Sequence, residues 1–132
     1  MRRILIADDN AVSRELLRYI LKGACDEILE ASEGREALKK VGEEQPDLVL
    51  LDLEMPQLDG YAVLRRLRQD ARLASTRVVA VTARAMQGDR EQALAAGFDG
   101  YITKPINAVE VRRCVERLSG KRNGAASEVK TL

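Results

Sequence analysis

Residues 4–10 read ILIADDN, an apolar run that ends in two adjacent acids and an amide. A second apolar run, LVLL at residues 48–51, ends in Asp52. Neither run alternates apolar with polar residues, which is typical of strands covered on both faces of a parallel sheet. Ligands bind beside the carboxyl ends of the strands in such open sheets. We therefore expect Asp8, Asp9 and Asp52 to converge at one edge of a buried sheet.

Two further apolar runs end in groups of complementary chemistry. Residues 78–81 (VVAV) lead to Thr82, and residues 101–102 lead to Lys104 and Pro105. Taken singly, these residues are common strand formers, caps or surface groups. At the ends of four strands of one sheet, however, they would bring three carboxylates, a hydroxyl and an amine together. Such a set can bind a hard divalent cation and act on a phosphoryl group.

Helical patterns separate these runs, and four apolar stripes recur at the spacing of an α-helix. The stripes comprise Val12, Leu16, Leu17, Ile20 and Leu21; Ala37, Leu38 and Val41; Val63, Leu64 and Leu67; and Val111, Cys114, Val115 and Leu118. Residues 86–96 are mostly Ala, Gln, Arg and Glu. This composition favours a further helix that begins at Met86 and has a thin apolar face.

Helix start and stop signals agree with this order. Asn10 and Asp59 are of the types that cap helix N-termini, whereas Gly23 and Gly97 stand where helices end in a left-handed glycine. Residues 27–31 supply the remaining strand. The sequence therefore predicts an α/β fold of five βα units, with a five-stranded parallel sheet and helices on both of its faces.

The composition excludes several classes of function. The length of 132 residues fits one compact domain, and the net charge of +1 gives no bulk argument for nucleic acid or an anionic membrane. No apolar stretch approaches the roughly 20 residues of a membrane helix. Cys25 and Cys114 lack a metal-type spacing, and the chain has no His to complete a zinc site. We expect both to be packing residues of a cytoplasmic protein.

Three carboxylates at one sheet edge require a cation. Two carboxylates about 5 Å apart repel by roughly 3 kcal/mol at an effective dielectric near 20, which would raise their pKa values or destabilise the fold. Mg²⁺ suits the set because it is a hard ion that prefers oxygen ligands, and Mn²⁺ could substitute. Lys104 adds a mobile positive charge, and Thr82 adds a neutral donor. A carboxylate in this setting can accept a phosphoryl group as a nucleophile.

The sequence closely resembles the receiver domain of bacterial two-component response regulators. The motifs are ILIADDN at 4–10, LVLLDLEMPQLDG at 48–60, VVAVTA at 78–83 and AGFDGYITKP at 96–105, and the resemblance covers residues 2–118. It implies a flavodoxin-like (βα)5 fold with strand order 2-1-3-4-5. Residues 1–118 are then the receiver domain, and residues 119–132 are expected to be a flexible C-terminal tail.

The resemblance also implies roles for the residues at the strand ends. Asp52 is implied to be the phosphoacceptor, with Lys104 as the phosphate partner and Thr82 as the switch hydroxyl. Asp9 and Asp52 are implied to bind Mg²⁺ directly, and Asp8 to act through a water molecule.

Further roles follow from the same resemblance. The backbone carbonyl of Glu54 is implied to complete the protein ligands of the metal, and Tyr101 to be the switch aromatic residue. The peptide bond before Pro105 is expected to be cis. Glu54 and Arg84 occupy the two variable positions that tune phosphoryl lifetime in the family. Because they carry opposite charges, we expect them to pair across the mouth of the site.

The implied function is that of a single-domain receiver. It would take a phosphoryl group from a histidine kinase or a histidine phosphotransfer protein, because the chain contains no His of its own. Output would pass to a downstream protein through a surface made of the Met86 helix, the Tyr101 strand and the Val111 helix. We expect a phosphoacceptor rather than an enzyme, as a monomer or weak dimer.

Other functions fit the sequence less well. A phosphorylation-independent interaction module, and a receiver fragment of a larger regulator or hybrid kinase, remain open. A phosphohydrolase of the haloacid dehalogenase type would need an Asp-x-Asp pattern after the first strand. The chain has no G-x-x-x-x-G-K-[ST] loop and no G-x-G-x-x-G fingerprint. The Arg-rich stretch at residues 65–77 is more typical of a solvated helix face than of a DNA site.

Overall fold

The computed structural model describes residues 1–84 and 86–119 of the chain. Strands and helices alternate throughout this part of the protein. They are β1 (Arg3–Ala7), α1 (Ala11–Leu21), β2 (Glu27–Ala31), α2 (Gly34–Glu44), β3 (Leu48–Asp52), α3 (Gly60–Gln69), β4 (Arg77–Thr82), α4 (Asp89–Ala96), β5 (Gly100–Thr103) and α5 (Ala108–Arg117). Most of the predicted tail, residues 120–132, lies outside the described residues.

The five strands form one parallel sheet in the order β2-β1-β3-β4-β5. This confirms the predicted flavodoxin-like topology. Ala7 of β1 pairs with Leu51 of β3, so the residues that follow them, Asp8 and Asp52, leave the sheet at the same level. The register of β1 and β3 therefore brings the first and third acids together.

Apolar cores cover both faces of the sheet, as the lack of alternation in the strand sequences predicts. All five residues of β3 are buried. On one face, Ile4 and Leu50 pack with residues of α1 and α5. On the other face, Leu5 and Val49 pack with residues of α2, α3 and α4. The carboxyl ends of the strands are consequently held by a rigid layer of packed side chains.

Side chains at the helix N-termini account for most of the helix starts. Asn10 and Asp59 accept hydrogen bonds from backbone N–H groups of α1 and α3, which confirms both predicted caps. Glu33 and Asn107 cap α2 and α5 in the same way. At the other end of α4, Gly97 adopts a φ of +114°, a conformation that a residue with a Cβ rarely adopts. The helix boundaries are thus largely determined by local sequence.

The start of α4 differs from the prediction, because the helix begins at Asp89 rather than at Met86. Gly88 adopts a φ of +91° immediately before it, and glycine has a low helix propensity. The side chain of Asp89 accepts a hydrogen bond from the backbone N–H of Met86 at 3.0 Å. A capping turn therefore replaces the first helical turn that the Ala- and Gln-rich composition favours.

The predicted apolar stripe of α1 is only partly buried. Leu17, Ile20 and Leu21 lie in the core, but Val12 is 72% exposed and Leu16 is 41% exposed. At 3.6 residues per turn, both lie roughly 90° or more around the helix from the middle of the buried set. The periodicity identified the helix correctly and overestimated the width of its buried face.

Among the described helices, none is long and apolar enough to cross a membrane.

Candidate functional site

The three acids meet at the carboxyl edge of the sheet. Asp8 follows β1 and is buried, Asp9 is exposed beside it, and Asp52 ends β3 and is 4% exposed. One carboxylate oxygen of each residue lies within 4.8 Å of those of the other two. The structure thus brings together all three acids that the sequence placed at this edge.

Backbone N–H groups of the adjoining loops orient two of these carboxylates. Asp8 Oδ1 accepts a hydrogen bond of 2.9 Å from the N–H of Asn10. Asp52 Oδ1 accepts one of 2.9 Å from the N–H of Glu54. Each side chain is therefore held by one oxygen, and its second oxygen, Oδ2, is left for another partner.

Lys104 supplies the positive charge of the site from the end of β5. Its Nζ lies 2.9 Å from Asp8 Oδ2 and 3.6 Å from Asp52 Oδ2. The peptide bond between Lys104 and Pro105 is cis. The ammonium of Lys104 does not approach Asp8 with the geometry of a hydrogen bond. The buried Oδ2 of Asp8 therefore accepts no hydrogen bond from any described residue. A buried carboxylate oxygen without such a partner is rare in proteins.

The pKa values reflect this crowding of charge. Burial raises the pKa of Asp52 to about 6; the hydrogen bond from Glu54 opposes the rise, and the charge of Asp8 adds to it. Burial disfavours the charged form of Lys104, yet its contacts with Asp8 and Asp52 outweigh this and raise its pKa. One ammonium group thus faces two buried carboxylates and cannot balance both of them.

The donor set fits Mg²⁺. Asp8, Asp9 and Asp52 offer hard carboxylate oxygens within 4.8 Å of one another, and Asp8 Oδ2, which accepts no hydrogen bond from the described residues, could accept one from a water molecule on such an ion. The role of the Glu54 carbonyl remains a prediction from the resemblance.

Thr82 and Tyr101 are linked through one intervening residue. Thr82 is fully buried at the end of β4, and its Oγ1 accepts a hydrogen bond of 3.1 Å from the N–H of Arg84. The Tyr101 hydroxyl donates a hydrogen bond of 2.7 Å to the carbonyl of Arg84. The ring of Tyr101, which is 8% exposed, therefore already lies inward in this structure. The backbone of Arg84 connects the two predicted switch residues.

Glu54 and Arg84 face each other at the mouth of the site, with 3.9 Å between Arg84 Nε and Glu54 Oε2. This is the pair that their opposite charges predict, although the contact is long and exposed. A second carboxylate lies at the same distance, because Arg84 Nη2 is 3.9 Å from Asp89 Oδ1. This second contact could not be predicted from the sequence, because Asp89 was expected inside a helix.

Arg14 is another residue that sequence reasoning missed. Its Nη1 donates a hydrogen bond of 2.7 Å to the backbone carbonyl of Asp8. Its Nε forms an ion pair of 3.1 Å with Glu30 of β2. Arg14 thereby ties the loop that carries Asp8 and Asp9 to the neighbouring strand. The only sequence signal was a basic residue one helical turn after the Asn10 cap.

Comparison with known proteins identifies the class to which this fold and site belong. The family model of the response regulator receiver domain matches residues 4–116. The chain therefore belongs to this family, as its motifs predict. Receiver domains accept phosphoryl groups in two-component signalling, bind Mg²⁺ at an acidic pocket, and interact with histidine kinases and downstream targets.

Individual relatives agree with this assignment. The chain is 36% identical over 106 residues to the polar-differentiation response regulator DivK of Brucella ovis, covering 80% of this chain and 86% of that protein. A receiver domain of the sensor histidine kinase PA1611 from Pseudomonas aeruginosa, with a magnesium ion coordinated in its active site cleft, is 30% identical with a TM-score of 0.80. That match covers 90% of this chain and 98% of the other. The chemotaxis protein CheY4 of Vibrio cholerae is 25% identical, with a TM-score of 0.81 and coverage of 89% and 98%.

Proposed function

We propose that this chain is a receiver that accepts a phosphoryl group on Asp52 from a phosphohistidine donor and thereby switches a protein-interaction surface. The observation that carries the proposal is the pair of buried carboxylates of Asp8 and Asp52, which share the single, partly buried ammonium of Lys104. A pocket of this charge and depth has little structural purpose, since burying unbalanced carboxylates destabilises a fold. It is well suited to a cation and a phosphoryl group.

Asp52 is the nucleophile of the proposed reaction. A carboxylate oxygen of Asp52 bonds to phosphorus while the phosphorus–nitrogen bond of the donor breaks, and the electron pair of that bond returns to the imidazole. The Glu54 N–H holds Oδ1, which leaves Oδ2, the oxygen that faces Lys104, for the attack. With a pKa of about 6, Asp52 is mostly ionised near neutral pH. Lys104 stabilises negative charge on the transferred group.

Asp9 and Asp52 hold Mg²⁺ directly in this proposal, Asp8 holds it through water, and the carbonyl of Glu54 completes the protein ligands. Mn²⁺ can take its place. The ion, when bound, neutralises charge on the carboxylates and on the phosphoryl oxygens. The magnesium ion in the PA1611 receiver supports this assignment by analogy.

Phosphorylation acts on the surface through Thr82. The phosphoryl group adds up to about two negative charges and three acceptor oxygens, and the Thr82 hydroxyl moves to donate to one of them. This replaces the present contact between Thr82 Oγ1 and the Arg84 N–H, and Arg84 in turn holds the hydroxyl of Tyr101. The responding surface consists of α4, β5 and α5. Phosphorylation shifts its equilibrium by interacting differently with the two conformations.

The remaining features of the proposal concern class and partners. The donor is a histidine kinase or histidine phosphotransfer protein, because the chain has no His. The protein promotes its own phosphorylation and dephosphorylation and is not an enzyme with a separate substrate. We place it in the cytoplasm as a monomer or weak dimer that acts on a downstream protein, without nucleic-acid or membrane binding.

The decisive experiment measures the intact mass of the protein after incubation with acetyl phosphate, with and without Mg²⁺. We expect a phosphoryl adduct in the wild type that is absent from Asp52→Asn and absent without the ion. Asp26→Asn, an exposed acid at the opposite end of the sheet, is the matched control and should form the adduct. No adduct from acetyl phosphate or from a phosphorylated histidine domain would contradict the proposal and favour a phosphorylation-independent module.

A further inference from the structure

The guanidinium of Arg84 is shared between two carboxylates on different parts of the molecule. Its Nε lies 3.9 Å from Glu54 Oε2 in the β3–α3 loop, and its Nη2 lies 3.9 Å from Asp89 Oδ1 at the start of α4. Neither contact has the short distance of a charged hydrogen bond. The side chain is 58% exposed, so little packing fixes it in place. The side chain of Arg84 therefore lies between two carboxylates and makes a short contact with neither of them.

The surroundings of Arg84 connect these positions to the phosphoacceptor. Glu54 is two residues from Asp52 and orients it through its N–H. On the other side, Arg84 and Asp89 line a cavity of about 30 Å³ together with Tyr101, enough for a water molecule. A guanidinium drawn to Glu54 lies over the mouth of the acid site. A guanidinium drawn to Asp89 lies over the cavity beside α4 and leaves the mouth open.

We propose that Asp89 is a positioning residue that shortens the phosphoryl lifetime by drawing Arg84 away from Glu54. In hydrolysis, the oxygen of a water molecule that approaches opposite Asp52 bonds to phosphorus while the bond between phosphorus and the Asp52 oxygen breaks, which releases inorganic phosphate and restores the carboxylate. Arg84 at the mouth obstructs that water. Asp89 and Glu54 thus compete for the guanidinium of Arg84, with opposite effects on the rate of dephosphorylation. This inference rests on the proposed function and extends it to a residue outside the acid site.

The two oxygens of Asp89 separate this role from a purely structural one. Oδ2 accepts the hydrogen bond from the Met86 N–H, whereas Oδ1 faces Arg84. In Asp89→Asn, the amide oxygen can still accept the bond from Met86, so the capping turn survives. The negative charge that attracts Arg84 is lost. A change of rate in this variant consequently reports on charge rather than on the start of α4.

The test follows loss of the phosphoryl group after acetyl phosphate is removed. We expect Asp89→Asn to slow dephosphorylation about two- to fivefold, the size of one exposed charge contact, and Glu54→Gln to accelerate it by a similar factor. Asp89→Glu should keep a rate near that of the wild type. Glu91→Gln, which removes the other acid of the first turn of α4, is the control and should leave the rate unchanged.

A double-mutant cycle shows whether Asp89 acts through Arg84. In an Arg84→Met background, which keeps the aliphatic stem, Asp89→Asn should have no effect on the rate. An equal effect in both backgrounds would overturn the proposal in favour of a general charge effect. Faster dephosphorylation in Asp89→Asn, or no change, would overturn it as well.

A second measurement does not depend on phosphorylation. The Nε–H resonance of Arg84, assigned by its loss in Arg84→Lys, should shift in the NMR spectrum of both Glu54→Gln and Asp89→Asn. A resonance that responds to only one substitution would overturn the shared contact. A wild type that takes no phosphoryl group would overturn the proposed function and the lifetime role together. Equal rates in the wild type and Asp89→Asn would overturn only the role of Asp89.

Discussion

Two regions on the same edge of the sheet are built in opposite ways. The acid pocket (Asp8, Asp9, Asp52 and Lys104) rests on strand ends whose residues are fully packed, and hydrogen bonds of 2.9 Å orient two of its acids. The α4 segment (residues 86–96) has one buried helical residue, Ala93, and its first residue, Met86, is 73% exposed. Regions with few buried contacts open and shift at low cost. The contrast supports the proposed function, in which the first region carries the chemistry and the second responds to it.

The largest expected effect lies inside the acid pocket. Lys104→Met should reduce the rate of adduct formation with acetyl phosphate at least about 100-fold, the usual loss when a positioned donor to a developing charge is removed. Lys39→Met, an exposed lysine on α2, is the matched control and should react like the wild type. A modest loss in Lys104→Met would show that the ammonium does not contribute to the chemistry.

The free-energy cost of burying the Asp52 carboxylate can be measured as a loss of stability of the folded protein. The pKa of Asp52 rises from 3.8 to about 6 on folding, so between these values the folded protein binds a proton that the unfolded chain releases. Stability therefore falls as the pH rises through this window. Above this pH window, the folded protein carries the full free-energy penalty of burying an ionised Asp52, which is at most about 3 kcal/mol.

Asp52→Asn removes this penalty. Near neutral pH and with a chelator present, it should raise the free energy of unfolding in urea by about 1–3 kcal/mol, and the gain should disappear at about pH 4. Asp26→Asn should show no such pH-dependent gain. A variant that is less stable than the wild type at neutral pH would contradict the assigned direction of the pKa.

In the proposed mechanism, the link between the two regions passes through Thr82. Thr82→Ala should still form the phosphoryl adduct, because Thr82 is not the acceptor, but it should lose the response of α4. Amide hydrogen exchange across Asp89–Ala96 should change on phosphorylation in the wild type and by less than about half as much in the variant. Thr76→Ala, which removes a buried threonine near the other end of β4, should respond like the wild type. A full response in Thr82→Ala would break the proposed link.

The smallest effect concerns the exposed pair at the mouth. Reversing either charge, in Glu54→Arg or Arg84→Glu, should change the dephosphorylation rate at least about two- to fivefold, since reversal perturbs an exposed ion pair no less than neutralisation does. The double reversal should bring the rate closer to that of the wild type than either single reversal does, because it restores an attractive pair, although Asp89 would then repel the side chain at position 84. Independent effects of the two substitutions, which add in the double variant, would show that Glu54 and Arg84 do not act as a pair.

Sequence reasoning placed the acids of the acid pocket correctly and was weaker in the α4 segment, for a physical reason. Asp8 and Asp52 directly follow long apolar runs, so their position is determined by local sequence once the sheet is parallel. The start of α4 depends on Gly88 and on a hydrogen bond between Asp89 and Met86, which averaged helix propensity does not represent.

Contacts between distant segments could not be predicted from the sequence either. The contact between Arg14 and the carbonyl of Asp8 depends on where α1 lies over the loop. The sharing of Arg84 between Glu54 and Asp89 depends on the distance between two loops. Such contacts join segments whose separation is set by the packed fold, and no local pattern encodes them.

The single ammonium in the acid pocket has a consequence for charge balance. Three carboxylates and one lysine give a formal charge of minus two when all are ionised, equal and opposite to that of one divalent cation. One divalent cation would therefore balance the charge of the site, whereas one monovalent cation would balance only half of it. The proposed phosphorylation would replace the single charge of Asp52 by up to about two, and with a divalent cation bound it would leave an excess of about one negative charge. In the proposed mechanism, that excess charge would be the signal to which neighbouring dipoles and cations respond.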